Sequence, residues 1–234
     1  MPSHHNYRYF EFIMVAFVAV YLCSNLIGPA KAAQLDLPFF GTVTFGAGVL
    51  FFPISYIFGD VLTEVYGYAR ARRVIWAGFG AMIFASIMAA MVVALPPAPE
   101  WKNQGAYEIA FGSTWRIVAA SLAAFFCGEF ANSYVLARMK ILTQGKALWT
   151  RTIGSTIVGE GIDSMLFYPL AFYNSGLIPN EILLKIMVTQ FVAKVAVEVA
   201  CTPITYVVVA WLKRAENEDF YDRRTDFNPF HLKG

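Results

Sequence analysis

Gly128-Glu129-Phe130-Ala131-Asn132-Ser133 and Gly159-Glu160-Gly161-Ile162-Asp163-Ser164 are two versions of one pattern, each inside a long apolar segment, and Gly59-Asp60 repeats the opening glycine–acid pair. A carboxylate at the centre of a bilayer costs at least about 2.5 kcal/mol, so repeated acids in such segments mark a functional site by default.

At helical spacing the polar residues gather into stripes. Tyr56, Asp60 and Glu64 stand at i, i+4 and i+8; Glu129 and Asn132, like Glu160 and Asp163, stand at i and i+3; Gln190, Lys194 and Glu198 again stand at i, i+4 and i+8. Lipid cannot solvate such a stripe, so each must face a bundle interior or a wet cavity. Some have a plainer reading: Lys194 and Glu198 are spaced for an intrahelical ion pair, and Glu64 is near enough to a helix end to snorkel or to pair with Arg70 or Arg73. For Asp60, Glu129, Glu160 and Asp163 that reading fails on charge. Lys194 is the one deeply placed cation, and Arg116 sits too near the outer surface. Some of these acids must bind protons or meet donors on a ligand.

Six apolar segments position them, at residues 10–28, 44–66, 74–95, 114–139, 152–172 and 182–212 of a 234-residue chain that is 58% hydrophobic and 15% charged. Each approaches or exceeds the roughly 20 residues that cross about 30 Å of hydrocarbon as a helix. The expected architecture is an all-α integral membrane protein: a six-transmembrane-helix bundle over residues 1–214 and a cytoplasmic C-terminal tail over 215–234. Thirteen lysines and arginines fall at the N-terminus, in the second and fourth loops and in the tail, against four (Lys31, Lys102, Arg116 and Lys185) on the other side. That asymmetry places both termini in the cytoplasm. Counted inward from those charges, Asp60, Glu129 and Glu160 lie at one level, about 13 to 15 Å deep, with Asp163 one turn further, near the midplane.

Several chemistries are disfavoured. His4, His5 and His231 occur only in the tails, and Cys23, Cys127 and Cys201 lie singly within spans as small core residues, so no metal, His-based nucleophile or disulfide framework is expected. There is no Gly-rich phosphate loop and no Gly-x-Ser-x-Gly elbow, so neither an ATPase nor a serine hydrolase is indicated. A hydrolase using Asp60 and Asp163 is the alternative from another class. Ala30-Lys31-Ala32 mimics a signal-peptidase site, but Glu11, Ser24 and Asn25 in the preceding segment argue against cleavage. Pro53, Pro169 and Pro203 mark irregular backbone, and Gly154, Gly159 and Gly161 thin the fifth span for close packing. Phe125, Phe126, Phe167, Tyr168 and Tyr56 flank the acids and would suit a planar ligand. The opposed directions of the glycine–acid strings are what an inverted three-plus-three repeat would produce.

Gly59-Asp60-Val61-Leu62-Thr63-Glu64-Val65-Tyr66-Gly67, the following Ala71-Arg72-Arg73, the Ser24-Asn25 pair and the 159–164 string together resemble the queuosine precursor transporter family (YhhQ type), within the vitamin-uptake-type transporters. The resemblance covers residues 7–214. It implies a multi-pass protein of the bacterial inner membrane, without cofactor, that imports 7-cyano-7-deazaguanine, and its 7-aminomethyl relative, for tRNA modification. Its partners would be that small molecule, membrane lipid and a second copy in a homodimer, with no nucleic acid bound.

That ligand suits the inventory. A 7-deazaguanine carries a ring N–H beside an exocyclic amine, two parallel donors that one carboxylate accepts together, while its carbonyl needs a donor. Glu129 or Glu160 could accept; Asn25, Asn132, Gln190 or Lys194 could donate. Tyr56, Asp60 and Asp163 complete the expected substrate-binding set, and Asp60 or Asp163 could carry a coupling proton in a self-sufficient secondary carrier. The alternative within transport is a vitamin-binding subunit docked on an energy-coupling ATPase; small-residue repeats on the first segment would support docking, but it reads Phe12, Ala16, Ala19 and Cys23 with bulky neighbours, which does not decide the matter.

Overall fold

The structure, a computed structural model, describes residues 7–27, 31–37, 41–112 and 115–231. His4, His5 and Ala30, named above, and the segment bounds at residues 28 and 114 lie outside the described residues. The elements are α1 (Phe10–Leu26), β1 (Ala32–Leu37), β2 (Gly41–Gly46), a 3-10 turn (Ala47–Leu50), α2 (Phe52–Tyr66), α3 (Tyr68–Ala94), α4 (Gln104–Phe111), α5 (Trp115–Leu142), α6 (Leu148–Phe172) and α7 (Asn180–Glu216). Six long helices thus fall where the six apolar segments lie. Helices α3, α7 and the stretch containing α5 are long and apolar enough by themselves to cross a membrane, with mean hydropathy 2.1, 1.8 and 1.5. Helix α1 is shorter, and α2 and α6 carry the acids, which lowers their apolar content.

Two elements depart from the all-α expectation. Strands β1 and β2 pair antiparallel from Ala32 opposite Gly46 to Leu37 opposite Gly41. Their sequences, Ala-Ala-Gln-Leu-Asp-Leu and Gly-Thr-Val-Thr-Phe-Gly, alternate polar and apolar residues with the period of a strand, so residues 44–50 do not open the second span. That span begins instead at Phe52, with Pro53 in the first turn, where a missing N–H costs nothing. The expected loop between the second and third spans shrinks to Gly67. This residue has φ +85° and lets α3 start at once, so Arg70, Arg72 and Arg73 belong to the first turns of α3.

Helix α2 is the centre of the bundle: every residue from Gly59 to Tyr66 is buried, beneath α1, α3, α5 and α7. Phe17, Tyr21, Val61, Leu62, Val65, Val74, Ile75, Phe125 and Phe130 form the apolar core around it. Large apolar side chains such as Phe12, Phe84, Met91, Leu184 and Val207 point outward, as lipid-facing positions do. Cys23 and Cys127 share that outer surface and Cys201 is half-buried, so they are not core residues. The reason is angular. Cys23 follows Tyr21 by two residues and Cys127 precedes Glu129 by two, about 200° round the helix from side chains that face inward.

The C-terminal tail is packed against the bundle. Asp222 accepts the Tyr68 backbone N–H with both carboxylate oxygens at 3.1 Å, which caps α3. Arg72 donates to the carbonyls of Asp226 and Asn228, at 2.8 and 2.7 Å, and Trp76 to that of Pro229 at 2.8 Å. Because these contacts use backbone carbonyls, the tail needs no apolar period and shows none. The start of α1 and the end of α7 meet here too: Glu216 accepts the backbone N–H groups of Arg8 and Tyr9, at 2.9 and 2.7 Å, and the Tyr66 hydroxyl at 2.9 Å. Glu216→Ala would strand these donors at a buried junction, so we expect a loss of about 3 kcal/mol. Thermal unfolding in detergent checks this, and an unchanged midpoint would refute it.

Candidate functional site

The glycine–acid strings meet where α2, α5 and α6 cross. A methyl group on Gly159 would lie 2.7 Å from Cβ of Asn132 and 2.9 Å from the Gly128 carbonyl oxygen, and one on Gly128 would lie 2.8 Å from the Tyr56 hydroxyl. A methyl on Gly59 would collide with Oε1 of Glu129. Each glycine therefore clears the space that a neighbouring string's polar groups fill. This is the physical content of the repeated pattern: glycine for close approach, acid for the interior.

Asp60, Glu129, Glu160, Asp163 and Glu198 are all buried at this crossing, with Lys194 the buried cation among them. Asn132 donates to Asp60 at 2.8 Å. Lys194 donates to Glu160 at 3.0 Å and to Asp163 at 2.7 Å. Thr156 donates to Glu198. The intrahelical Lys194–Glu198 pair expected from spacing is therefore replaced by bonds from α7 to α6, because a lysine aimed into the bundle reaches two carboxylates at once. Glu129 differs from the others. It is fully buried, and neither of its carboxylate oxygens has a hydrogen-bond partner among the described residues. Glu198, Glu160 and Asp163 are near enough for their charges to act on it.

Other buried polar atoms of the bundle are unpartnered too. The hydroxyls of Tyr21, Tyr56 and Ser164, Oδ1 of Asn132, Oε1 of Glu160, Oε1 of Gln190 and Oε2 of Glu198 also have no partner among the described residues. Tyr21 stacks on Phe125 with centroids 3.8 Å apart, and its hydroxyl feels the charges of Asp163 and Glu129. Tyr56 feels those of Glu160, Asp163, Glu129 and Glu198. Unpartnered polar atoms, aromatic rings and a cation already committed to two carboxylates thus gather in one region.

Of the residues expected from sequence, Tyr56, Asp60, Glu129, Asn132, Glu160, Asp163 and Lys194 come together at this crossing. Gln190 lies one turn before Lys194 with a buried, unpartnered Oε1. Asn25 stands apart: its amide donates to the Tyr21 carbonyl at 2.9 Å and accepts from Ser121 at 3.1 Å, and it lines a separate recess of about 220 Å³ with Met82, Ser86 and Trp115. Tyr21, Phe52 and Thr156 were not singled out in the sequence, whereas Ser164 closes the second glycine–acid string. Tyr21 and Asn25 are one turn apart on α1, as Phe52 and Tyr56 are on α2, so the spacing to known stripe members was the available signal. Asp60 and Asp163, the pair a hydrolase would use, share no hydrogen bond among the described residues; each is bonded to a different donor.

Glu64 belongs to a second, separate cluster. Arg151 grips it with two 2.8 Å bonds, Lys213 approaches to 2.6 Å and Lys140 to 3.5 Å. Arg70 instead donates to the Tyr66 carbonyl and covers the Tyr7 ring, and Glu64 is held by Arg151, Lys213 and Lys140. Lys140 and Lys213 also reach Asp219 of the tail, at 2.6 and 2.8 Å. Burial pushes the Asp219 carboxyl up, but the hydrogen bonds and charges of the two lysines outweigh it and hold this carboxyl below its ordinary range.

Residues 46–208 match the family model described as "Putative vitamin uptake transporter". The chain is 32% identical over 200 residues to the "Probable queuosine precursor transporter" of Bacillus subtilis, covering 83% of this chain and 81% of that one. It is 27% identical over 128 residues to the "Queuosine precursor transporter" of Escherichia coli, covering 55% of each. A "Probable queuosine precursor transporter" of Haemophilus influenzae is 27% identical over 130 residues, 55% of this chain and 52% of that one. No solved structure matches the chain.

Proposed function

The chain belongs to the queuosine precursor transporter family within the vitamin uptake transporters, and on that premise we propose that Glu129 reads the donor edge of a 7-deazaguanine carried through the crossing of α2, α5 and α6. It is a multi-pass transporter of a queuosine precursor and not an enzyme. The observation that carries the assignment is the bare, fully buried carboxylate of Glu129. Two parallel donors, the ring N–H and the exocyclic amine, match its two oxygens, and pairing them removes the cost of leaving both acceptors unsatisfied. Asp60, Glu160, Asp163 and Glu198 each already accept from a protein donor, which makes them weaker candidates. Tyr56 and the Tyr21–Phe125 stack supply aromatic surface for the ring faces.

The reading includes six spans in the bacterial inner membrane with both termini cytoplasmic. The contact between Tyr7 and Glu218, whose carboxylate accepts the Tyr7 hydroxyl at 2.8 Å, supports an even number of spans. The arginine- and lysine-rich loops support the cytoplasmic placement.

Thermal-shift titration of the purified protein with 7-cyano-7-deazaguanine, guanine, adenine and biotin tests the assignment. Stabilisation should follow the guanine-type donor edge, with adenine and biotin inert. Stabilisation by adenine or biotin without an effect of the deazaguanine would refute it. We further propose a secondary carrier in which Asp60 or Asp163 takes a coupling proton. Uptake into proteoliposomes should then accelerate when an inward proton gradient is imposed, and indifference to that gradient would sink the coupling.

A further inference from the structure

The ammonium of Lys194 sits in a built cation site. It lies 3.0 Å from Oε2 of Glu160, 2.7 Å from Oδ2 of Asp163 and 4.2 Å from the centroid of the Phe52 ring. Two carboxylates and an aromatic face are the groups that recognise a primary ammonium, wherever that ammonium comes from. Here it comes from α7 of the same chain. The surroundings remain rich in acceptors even so. Oε1 of Glu160 and Oε1 of Gln190 are buried without partners among the described residues, and Glu160 is itself fully buried. The five buried acids of the crossing still exceed its one buried cation.

We propose that Glu160, Asp163 and Phe52 form a specificity site for the ligand's side arm, in which a protonated aminomethyl group exchanges with or joins the Lys194 ammonium. This rests on the reading that Glu129 holds the deazaguanine edge. Phe52 and Tyr56 lie one turn apart on α2 with ring centroids 5.9 Å apart. A methyl on Gly128, next to Glu129, would lie 2.8 Å from the Tyr56 hydroxyl and 3.0 Å from Cβ of Asp163, so one planar molecule lying along these rings can address both ends. An ammonium at its far end brings three donors and a positive charge to a region short of both. A nitrile there brings only an acceptor nitrogen, which gains nothing from the carboxylate oxygens and must draw on the unpartnered hydroxyls of Tyr56 and Ser164 or on Lys194 itself. The transporter therefore selects the cationic precursor over the neutral one, and Lys194 acts as the internal competitor that sets the margin.

Isothermal titration of the full-length wild type and two variants, Lys194→Gln and Asp163→Asn, with 7-aminomethyl-7-deazaguanine, 7-cyano-7-deazaguanine and guanine tests this. The wild type should bind the aminomethyl compound about tenfold more tightly than the nitrile, the worth of one charge-assisted bond. Removing the competitor in Lys194→Gln should widen that ratio by roughly another tenfold, and Asp163→Asn should narrow it. A wild-type ratio at or below one, or a ratio that neither variant moves, overturns the specificity site while leaving the Glu129 assignment standing. Failure of all three compounds to bind the wild type would instead remove the assignment and this inference with it. If Lys194→Gln does not fold, the direction of change in Asp163→Asn decides.

Discussion

Glu129→Gln should abolish transport while leaving the protein as stable as the wild type or more so. The two halves of that expectation have one cause. The Glu129 carboxylate is buried with no hydrogen-bond partner on either oxygen among the described residues, close to Glu198, Glu160 and Asp163. Such a group destabilises the fold, and a neutral amide of the same shape relieves the repulsion between acids. In the complex the balance reverses. The amide keeps one acceptor but aims an N–H at the ligand's own donor, so one charge-assisted bond is lost and a donor–donor clash appears. Together these cost about 3 kcal/mol, roughly 150-fold in affinity. Ligand titration and thermal unfolding of the same preparation measure both halves. Weakened binding accompanied by a lowered unfolding midpoint would mean that Glu129 is a structural residue.

The acid cluster could be read from sequence because lipid penalises charge so strongly. Asp60, Glu129 and Glu160 share a depth, and depth follows from residue counting alone. Azimuth does not. Whether Lys194 turns towards Glu198 on its own helix or towards Glu160 and Asp163 on α6 depends on how α7 is rotated against α6, which spacing leaves open. The same gap explains Glu64: its distance from the helix end was plain, but Arg151, Lys140 and Lys213 reach it from α6, α5 and α7, up to 149 residues away. The hairpin at residues 32–46 hid inside an apolar stretch, since Val43 and Phe45 suit a strand as well as a span. The tail hid for the opposite reason. Its docking uses backbone carbonyls and a few aromatic rings, such as Phe227 against Tyr68 with centroids 5.0 Å apart, and these leave no periodic signature.

Glu64→Ala should be the most destabilising single change at the tail end of the bundle. The carboxylate is fully buried and is shared by Arg151 and Lys140, each only 1% exposed, and by the partly exposed Lys213. Deleting it leaves three cations facing one another, with Asp219 the remaining acid in their cluster. Breaking a buried pair from one side typically costs about 3 to 5 kcal/mol, because the surviving charge loses its compensation but not its desolvation. Asp219→Asn should cost far less, since that side chain is 43% exposed and water can replace it. Acid should nevertheless loosen this tail contact. The Asp219 carboxyl is held below its ordinary range in the folded state, so its contribution is present above the ordinary carboxylate range and is lost as pH falls through the depressed value. Because Lys140 also bonds the Phe220 carbonyl at 2.8 Å, the Glu64 cluster ties α2, α5, α6, α7 and the tail into one unit. Loss of Glu64 should therefore release the tail together with the helix ends. Limited proteolysis around residues 217–225, read beside thermal unfolding, checks this: faster cleavage and a lower midpoint should appear together in Glu64→Ala. A tail that stays protected while the midpoint falls would show that the cluster and the tail are energetically separate.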